Sequence, residues 1–384
     1  MTFSRATRLI HGQANEDRIH GAVKMPIFQS AMYEHGPGGL RYIRLNNTPN
    51  QQSLNHKLAM LEGAEEAVVT GSGMAAISSA LLSVLKPGDH MLAQDGMYGG
   101  TFSFATNMLR DYGITVQFFD ADSPEIWGSL LRPETRALYV ESITNPLMKV
   151  CDLERAVGFA RQHNLVSLID NTFASPVNFR AAEFGFDLSL HSATKYLNGH
   201  SDIVAGAIVG RGDLVRRAEK MLRSLGGSLD PHACFLLDRG LQTLFLRIER
   251  HNENAERLAK FLQGHSLVSK VNYPGLSSHP RHARAKQLFS GSGGMISFEL
   301  HTDVDGADRF IDLLQIPIYA PSLGGVESLV TRPAISSHAS LSPSERRHFG
   351  IADSLVRVSV GIEPADDLIA DFAQTLESIE RLAA

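Results

Sequence analysis

The sequence predicts an α/β fold built on a mostly parallel sheet, followed by a smaller α+β region. Between residues 67 and 209, short apolar runs alternate with helical stretches, as in right-handed βαβ units around a parallel sheet. Beyond residue 245, strands and helices alternate less regularly, which favours an α+β arrangement. A chain of 384 residues with 43% hydrophobic content is long enough for two or three domains. We therefore divide it into residues 1–46, 47–244 and 245–384.

Composition excludes several classes of protein. The net charge of −5 does not indicate binding to nucleic acid or to an acidic membrane surface. No apolar run approaches the length of a membrane span. The only cysteines, Cys151 and Cys234, form no CxxC motif, which argues against a disulfide framework or a metal site. We expect a cytoplasmic protein without a metal, because cysteine usage fits a reducing compartment.

Apolar spacing and turn residues define the elements of the larger region. A helix at 51–61 has leucines at helical spacing and ends before Gly63. Further helices are predicted from the glycine-containing turn at 71–74 to residue 85, up to residue 112, at 123–131, and up to residue 163 after Asp152 as the cap. Strands are predicted at 67–69, 90–93, 116–119, 137–140, 165–170, 187–191 and 204–209.

The two ends of the chain have a different pattern. Residues 1–46 show little periodicity. Residues 212–264 are predicted to be helical with a break at Pro231, and one helix through Leu241 and Ile248 leads into the smaller region. Its strands are expected at 268–272, 295–300 and 355–360, and its helices at 304–314 and 366–379.

The stretch at 187–206, DLSLHSATKYLNGHSDIVAG, suggests covalent chemistry. A half-buried strand is followed by two hydroxyls, Ser192 and Thr194, and by Lys195. A lysine in this position can form a Schiff base with an aldehyde cofactor while the hydroxyls hold the phosphate of that cofactor. The alternative is an ordinary solvated lysine in a loop.

A carboxylate ends the preceding strand. The apolar run at 165–169 stops at Asp170, and ligands of parallel sheets sit outside the carboxyl ends of the strands. Asp170 could pair with a pyridinium nitrogen and keep it protonated, but it could also bind a metal or cap a helix. The order of strand, Asp and then Ser-x-Thr-Lys is a much narrower pattern than either feature alone.

Three further positions have a functional and an ordinary interpretation. The turn at Gly73 and Met74 can present backbone N–H groups to a phosphate, although many turns contain glycine for steric reasons. Tyr98 can stack on a planar ring or act as an acid, or it can be a half-buried tyrosine. Asn145 precedes a proline and so also fits a simple turn.

Several motifs resemble one family, the cystathionine γ-lyase, cystathionine γ-synthase and methionine γ-lyase enzymes. These motifs are SGMAAI, YGGT, VESITNP, SATKYLNGHSD, SLGGVESL and LVRVSVG. They occur in family order from about residue 42 to the last helix. The resemblance implies an aspartate-aminotransferase-like (fold type I) domain with a seven-stranded sheet, pyridoxal 5'-phosphate as cofactor, and an amino-acid substrate.

The resemblance also assigns residues. By this resemblance, residues 1–46 are an N-terminal arm that crosses to a neighbouring subunit, where Tyr42 and Arg44 reach the cofactor phosphate. Such an arm implies a homodimer, and the family suggests a homotetramer. The residues implied to contact the cofactor are Gly73, Met74, Tyr98, Asn145, Asp170, Thr172, Ser192, Thr194 and Lys195. Arg357 is implied to bind the substrate carboxylate, with Ser322 and Asn145 beside it, although an arginine in a strand can also form an edge salt bridge.

The predicted reaction is elimination of a γ-substituent, with β-elimination possible, and Lys195, Asp170 and Tyr98 as catalytic residues. γ-Replacement by a thiol is the main alternative, since it uses the same residues, and a non-catalytic scaffold is disfavoured because Lys195 and Asp170 are present. A dehydrogenase is disfavoured because no GxGxxG opens a βαβ unit.

The sequence departs from relatives around the distal substrate site. Cystathionine-handling members tend to have an acidic residue where this chain has Arg41, an arginine near Phe102 and a glutamate where Pro321 lies. Methionine γ-lyases tend to have a cysteine at the position of Gly100. We therefore expect that the distal half of the substrate is not the charged amino acid of cystathionine, and that Arg41 reads a neutral or acidic group or points to solvent.

Overall fold

The structure, a computed structural model, describes residues 3–12, 18–36, 39–339 and 341–383. Its strands form two sheets that follow one another along the chain, one of seven strands and one of five. The strands of the first sheet lie between residues 66 and 210, and those of the second between residues 268 and 359.

The elements alternate through most of the first half. The helices are α1 Arg5–His11, α2 Pro49–Glu62, α3 Gly73–Val84, α4 Gly99–Ser103, α5 Leu153–Gln162, α6 Ser175–Asn178, α7 Ala181–Phe184, α8 Gly212–Leu225, α9 Pro231–Leu241, α10 Leu244–Gln263, α11 His282–Leu288, α12 Val304–Leu313, α13 Pro343–His348 and α14 Ala365–Ala383. The strands are β1 Glu66–Thr70, β2 His90–Gln94, β3 Thr115–Phe119, β4 Thr135–Glu141, β5 Val166–Asp170, β6 Leu188–His191, β7 Gly206–Gly210, β8 Val268–Asn272, β9 Met295–Leu300, β10 Ile318–Tyr319, β11 Leu329–Thr331 and β12 Val356–Ser359.

The larger sheet has the strand order β1-β7-β6-β5-β4-β2-β3. All its pairs are parallel except those that β7 makes with β1 and β6. Apolar residues are buried on both faces of this sheet, as expected when helices cover a parallel sheet. The prediction of a mostly parallel seven-stranded sheet is confirmed.

The smaller sheet is mostly antiparallel, in the order β10-β11-β12-β9-β8. Helices α10, α12 and α14 pack on it around a second core that contains Phe298, Phe310 and Phe372. This is the α+β arrangement that the C-terminal sequence predicts. Among the described residues, no helix combines the length and the apolar character needed to cross a membrane.

Two predicted helices are wrong. At 123–131 the chain forms only a short 3-10 turn, Trp127–Leu130. The indole of Trp127 is buried and donates a hydrogen bond to the Asp120 carbonyl at 2.9 Å, and this tertiary anchor folds the segment back. The single helix through Leu241 and Ile248 is in fact two, α9 and α10, which are separated at Gln242 and Thr243.

The structure also adds elements that the sequence pattern does not indicate. Helix α1 lies within the aperiodic first 46 residues, capped by Ser4, and it packs on its own chain through Leu9 and the Arg5–Glu183 ion pair. Strands β10 and β11 have two and three residues, too few for a periodic pattern to emerge.

Candidate active site

A cavity of about 780 Å³ opens at the carboxyl ends of β4, β5 and β6, and loops of the smaller sheet close its other side. Ligands of α/β sheets bind at this edge. Of the predicted site residues, those that line this cavity are Gly73, Met74, Tyr98, Asn145, Asp170, Thr172, Ser192, Thr194, Lys195, Ser322 and Arg357.

We call Asp170, Thr172, Ser192, Thr194 and Lys195 the cavity floor. Two hydrogen bonds order it. At the end of β5 the Thr172 N–H donates to the Asp170 carboxylate at 2.9 Å, and across to the end of β6 the Ser192 N–H donates to the Thr172 hydroxyl at 2.9 Å. Because the two strands are parallel neighbours, residues that follow their ends lie together.

Asp170 lies directly beside a second buried carboxyl group, that of Glu141 on β4. Burial and the nearby Asp170 raise the pKa of Glu141 well above its usual range. Burial also raises the pKa of Asp170, but hydrogen bonds from Thr172 and the charge of His191 oppose this. We conclude that Glu141 takes the proton of the pair, which leaves the negative charge on Asp170.

Lys195 points into the cavity, where its Nζ lies 2.6 Å from the Ser322 hydroxyl. Burial, and secondarily the positive charge of Arg357, lowers the pKa of Lys195 to about 8. At pH 7 roughly a tenth of this amine is therefore unprotonated, far more than for an ordinary lysine, and the unprotonated form is the one that reacts with carbonyl groups. The ordinary interpretation of a solvated loop lysine does not fit this position.

One end of the cavity is built for an anion. Ser72 caps α3 and accepts a hydrogen bond from the Ala75 N–H at 3.0 Å, so the first two N–H groups of the helix, at Gly73 and Met74, remain for a ligand. A Cβ at Gly73 would lie 2.8 Å from the Cβ of Ser192, so only glycine allows this contact. Helix N–H groups and the Ser192 hydroxyl thus meet at one spot.

The Thr194 hydroxyl is already engaged. It donates to the Ala205 carbonyl at 3.1 Å and accepts from the Ala205 N–H at 3.0 Å. Since a hydroxyl has a single proton, Thr194 can donate to a phosphate only if that bond to Ala205 is exchanged. No described residue forms a hydrogen bond with the Ser192 hydroxyl, which makes it the better placed donor.

We call Ser322, Thr331, Ser337 and Arg357 the cavity wall. Arg357 on β12 is 4% exposed and donates to Asn145 Oδ1 at 3.0 Å and to the Ser322 carbonyl at 3.1 Å. Because a guanidinium only donates, the Asn145 amide must turn its oxygen to Arg357, which leaves its Nδ2 for a ligand.

Arg357 is a buried cation that pairs with no described carboxylate. Its Nε is buried without a hydrogen-bond partner, and burial lowers its pKa to about 10. A buried unpaired charge is costly, and a carboxylate from a ligand would relieve that cost through two parallel hydrogen bonds. The strand-edge salt bridge considered for this arginine is not present among the described residues.

Ser322 connects the cavity wall to the cavity floor through its contacts with Lys195 and Arg357. Its φ of 112° falls in a region that favours glycine. Backbone strain of this kind persists where surrounding contacts impose it, often at functional sites.

Glu141 is a cavity residue that the sequence interpretation missed, as are Thr331 and Ser337 of the cavity wall. Its carboxyl group accepts the Tyr98 N–H at 2.7 Å and so fixes the start of α4. Tyr98 itself is 41% exposed at the cavity mouth, and a Cβ at Gly100 would lie 2.5 Å from its ring. The motif VESITNP contains Glu141 directly before the predicted Asn145 turn, which was the available signal.

Three predicted residues do not line the cavity of this chain. Arg41 and Tyr42 are exposed, and Arg44 lies over the Tyr42 ring at 5.6 Å and donates to the Arg223 carbonyl at 3.2 Å. The contact of Tyr42 and Arg44 with a neighbouring subunit stays a prediction, and so does the reading of the distal substrate group by Arg41.

Residues 6–377 match a family described as Cys/Met metabolism PLP-dependent enzymes. The chain belongs to this family. It is 41% identical over 376 residues to a cystathionine beta-lyase of Lactococcus lactis subsp. cremoris (strain MG1363), covering 97% of this chain and 98% of the relative. It is 40% identical over 387 residues to an L-methionine gamma-lyase of Pseudomonas putida, covering 97% of each chain.

The fold of this Cys/Met metabolism enzyme also matches a solved relative. A cystathionine gamma synthase from Xanthomonas oryzae pv. oryzae, in complex with aminoacrylate and cysteine, superposes with a TM-score of 0.95 and 36% identity, covering 99% of this chain and 100% of that chain. The predicted family and its aspartate-aminotransferase-like fold are thereby confirmed.

The cavity of this family member fits pyridoxal phosphate. It offers a reactive amine for an aldehyde, a charged carboxylate for a ring nitrogen, and helix N–H groups with a free hydroxyl for a phosphate. The buried Arg357 remains as a separate site for a carboxylate.

Proposed function

We propose that this chain is a pyridoxal-phosphate-dependent lyase that eliminates a sulfur-containing group from an L-amino acid, releasing a 2-oxo acid and ammonia. The observation that supports this most directly is that Lys195 and Arg357 line the same cavity and that Arg357 has no described carboxylate partner. An amine that can handle protons and a cation that can bind a carboxylate are the two groups an α-amino acid requires.

The cofactor would be held by the α3 N-terminus and Ser192 at its phosphate, by Asp170 at its ring nitrogen and by Lys195 at its aldehyde. Tyr98 would lie against its ring, and Asn145 would donate from Nδ2 to its phenolic oxygen. When bound, pyridoxal phosphate supplies an electron sink for the pair left at Cα.

The residues of the chain then have separate tasks. Arg357 orients the substrate through its α-carboxylate, and Lys195 Nζ takes the proton from Cα. The Ser322 hydroxyl holds Nζ in place, because the two atoms are already in hydrogen-bonding contact. Tyr98 Oη donates a proton to the departing sulfur.

Elimination can occur at Cγ or Cβ with the same residues, but loss of a group from Cγ also requires Lys195 Nζ to take a proton from Cβ. The two curated relatives named above are a β-lyase and a γ-lyase, at 41% and 40% identity, so similarity does not separate the two outcomes. We retain γ-elimination as the main proposal and β-elimination as its variant.

The deciding experiment is incubation with a panel of sulfur-containing amino acids, with identification of 2-oxo acids, thiols and ammonia. Release of 2-oxobutyrate from a γ-substituted substrate supports γ-elimination, and release of pyruvate from a β-substituted substrate supports β-elimination. If no member of the panel gives a 2-oxo acid, the lyase proposal is wrong.

γ-Replacement is a second candidate, because the solved relative at a TM-score of 0.95 is a synthase. The same incubations with an activated homoserine and an added thiol test it. A thioether product in place of 2-oxobutyrate would favour the synthase.

The distal substrate group is proposed to be neutral or acidic rather than the zwitterionic end of cystathionine. Part of the cavity mouth is apolar, with Val204, Tyr319 and Ile335 exposed there. We expect a higher kcat/KM for smaller γ-substituted amino acids than for cystathionine, and a strong preference for cystathionine would contradict this.

We also propose a shared active site in a homodimer, or a pair of dimers, with Tyr42 and Arg44 supplied to the neighbouring cofactor phosphate. Arg44 is exposed and contacts a backbone carbonyl and an aromatic ring, so no carboxylate of the described residues neutralises its charge. Arg44→Ala should weaken cofactor retention, whereas full occupancy and activity would contradict the shared site. A cytoplasmic location is proposed from the two buried free cysteines.

A further inference from the structure

Helix α10 carries a buried polar stripe formed by Arg247, His251 and Asn254. These side chains are 3%, 0% and 1% exposed. Their spacing of four and three residues places them on one face of the helix. Burying polar side chains is costly unless each has a defined partner, so the partners of the stripe indicate its role.

Arg247 contacts the peptide that directly follows Lys195. It donates to the Tyr196 carbonyl at 2.7 Å and to the Leu197 carbonyl at 3.4 Å, as well as to Gly240 of α9. The fit is tight, because a Cβ at Gly199 would lie 2.0 Å from Nη1. Burial lowers the pKa of Arg247 to about 10, so it is still a cation at neutral pH.

Asn254, at the other end of the stripe, contacts the chain that directly follows Arg357. Its Nδ2 donates to the Gly361 carbonyl at 3.0 Å and to the Glu363 carbonyl at 2.7 Å. Arg357 lies on β12, and Gly361 comes four residues later. The stripe thus forms hydrogen bonds with the segment that follows Arg357 in the sequence.

His251 joins these two contacts. Its Nδ1 donates to the Val360 carbonyl at 2.7 Å, and its ring packs edge-on against Tyr196 with centroids 5.2 Å apart. Burial lowers the pKa of His251 to about 4, so the ring is neutral, with its proton on the nitrogen that faces Val360. One helix face therefore touches both the segment that follows Lys195 and the segment that follows β12.

We propose that Arg247, His251 and Asn254 are positioning residues that set the separation between Lys195 and Arg357. This rests on the proposed function, in which Lys195 and Arg357 act on one small amino acid. The stripe spans seven residues of a helix, about 10 Å, and a helix is the stiffest element available to hold such a distance.

The physical need is strict. Lys195 belongs to the segment after β6 and Arg357 to the smaller sheet, and side-chain contacts between them pass through Ser322. A misplacement of about 1 Å between a binding group and a catalytic group can cost about 10²-fold in rate. Neither end of the stripe touches the cavity, so its effect must act through the segments it holds.

The test uses the holoenzyme and compares the two ends of the stripe. The preference for glycine over glycinamide is the ratio of their affinities, measured by the absorbance change on binding. Asn254→Ala should lower this preference about tenfold, because Arg357 binds the carboxylate that glycinamide lacks. It should raise KM similarly and leave kcat within about threefold. Arg247→Met should instead lower kcat about tenfold or more and keep the glycine preference, and Arg247→Lys should restore part of that loss.

Asn252→Ala is the matched control. Asn252 lies on the same helix and forms hydrogen bonds with Asn178 and Gly293, which the variant loses. It contacts neither the segment after Lys195 nor the segment after β12. A similar fall in melting temperature without a change in glycine preference is expected for it.

The proposal is overturned if Asn254→Ala and Asn252→Ala have the same glycine preference, or if Arg247→Met leaves kcat unchanged. Failure of the lyase proposal looks different, because the wild-type protein would bind glycine but release no 2-oxo acid from any sulfur amino acid.

Discussion

The cavity floor and the cavity wall differ in how far along the chain their residues come from. The floor lies within residues 170–195, on two neighbouring strands and the turns after them. The wall meets it across a large separation, since Ser322 is 127 residues from Lys195. Arg357 in turn contacts Asn145, which follows the end of β4 and is 212 residues away. The amine that takes the Cα proton and the carboxylate for the cofactor ring are thus built locally, and recognition of the substrate carboxylate is built by tertiary packing.

This difference predicts distinct consequences for substitutions. A change in the floor should remove chemistry that no other residue can supply. A change in the wall should weaken binding or alignment and leave the chemistry possible. The expected effects therefore fall in order from the floor to the wall.

Lys195→Ala should have the largest effect, a loss of kcat of more than about 10³-fold, because no other described lysine lines the cavity. The cofactor should also no longer remain attached to the chain after borohydride treatment. Mass spectrometry of the treated protein and 2-oxo acid release measure both. Lys86→Ala, at an exposed lysine, is the control, and equal turnover of Lys195→Ala and wild type would refute the role of Lys195.

Arg357→Lys should lower kcat/KM about 10²-fold, mostly through KM. It keeps the charge but loses the planar pair of donors that matches a carboxylate. Steady-state kinetics with the best substrate of the panel measure this. A loss confined to kcat would show that Arg357 belongs with the floor and not with the wall.

Ser322→Ala should lower kcat about tenfold, because Lys195 loses the hydroxyl that holds its amine. Ser322→Gly is the matched variant, since it removes the same hydroxyl and relieves the backbone at φ 112°. The two variants should have the same kcat, and the free energy of unfolding of Ser322→Gly should be about 1 kcal/mol higher than that of Ser322→Ala. Wild-type activity in both variants would contradict the contact with Lys195.

The pH dependence of cofactor capture should be the smallest and most specific effect. Capture needs the unprotonated amine, and the pKa of Lys195 is lowered to about 8, so the rate for the cofactor-free protein should rise with pH and level off above about 8. In Arg357→Met the midpoint should move up by less than about one pH unit, because burial is the larger cause of the lowered pKa. Stopped-flow absorbance with pyridoxal phosphate measures it, and a midpoint near the ordinary lysine value would show that the amine is solvated.

The helices and strands show where sequence patterns suffice. The strands of the larger sheet are predicted because buried apolar runs end at turn residues. β5 ends with Asp170, and β6 is followed directly by Ser192, Thr194 and Lys195. The predicted helix at 123–131 fails because burial of Trp127 overrides local propensity. The break between α9 and α10 is held by Arg247 through Thr243 and Gly240, contacts that helical spacing does not encode.

The sequence by itself determined the family, the parallel sheet and the floor residues Lys195 and Asp170, because motifs on adjacent strands fix their neighbours through the regular geometry of a sheet. Only the tertiary structure decided the lowered pKa of Lys195, the proton on Glu141, the engaged hydroxyl of Thr194 and the strained bridge at Ser322. These properties depend on burial and on atoms brought together from distant parts of the chain. A sequence pattern does not specify the distances between such atoms.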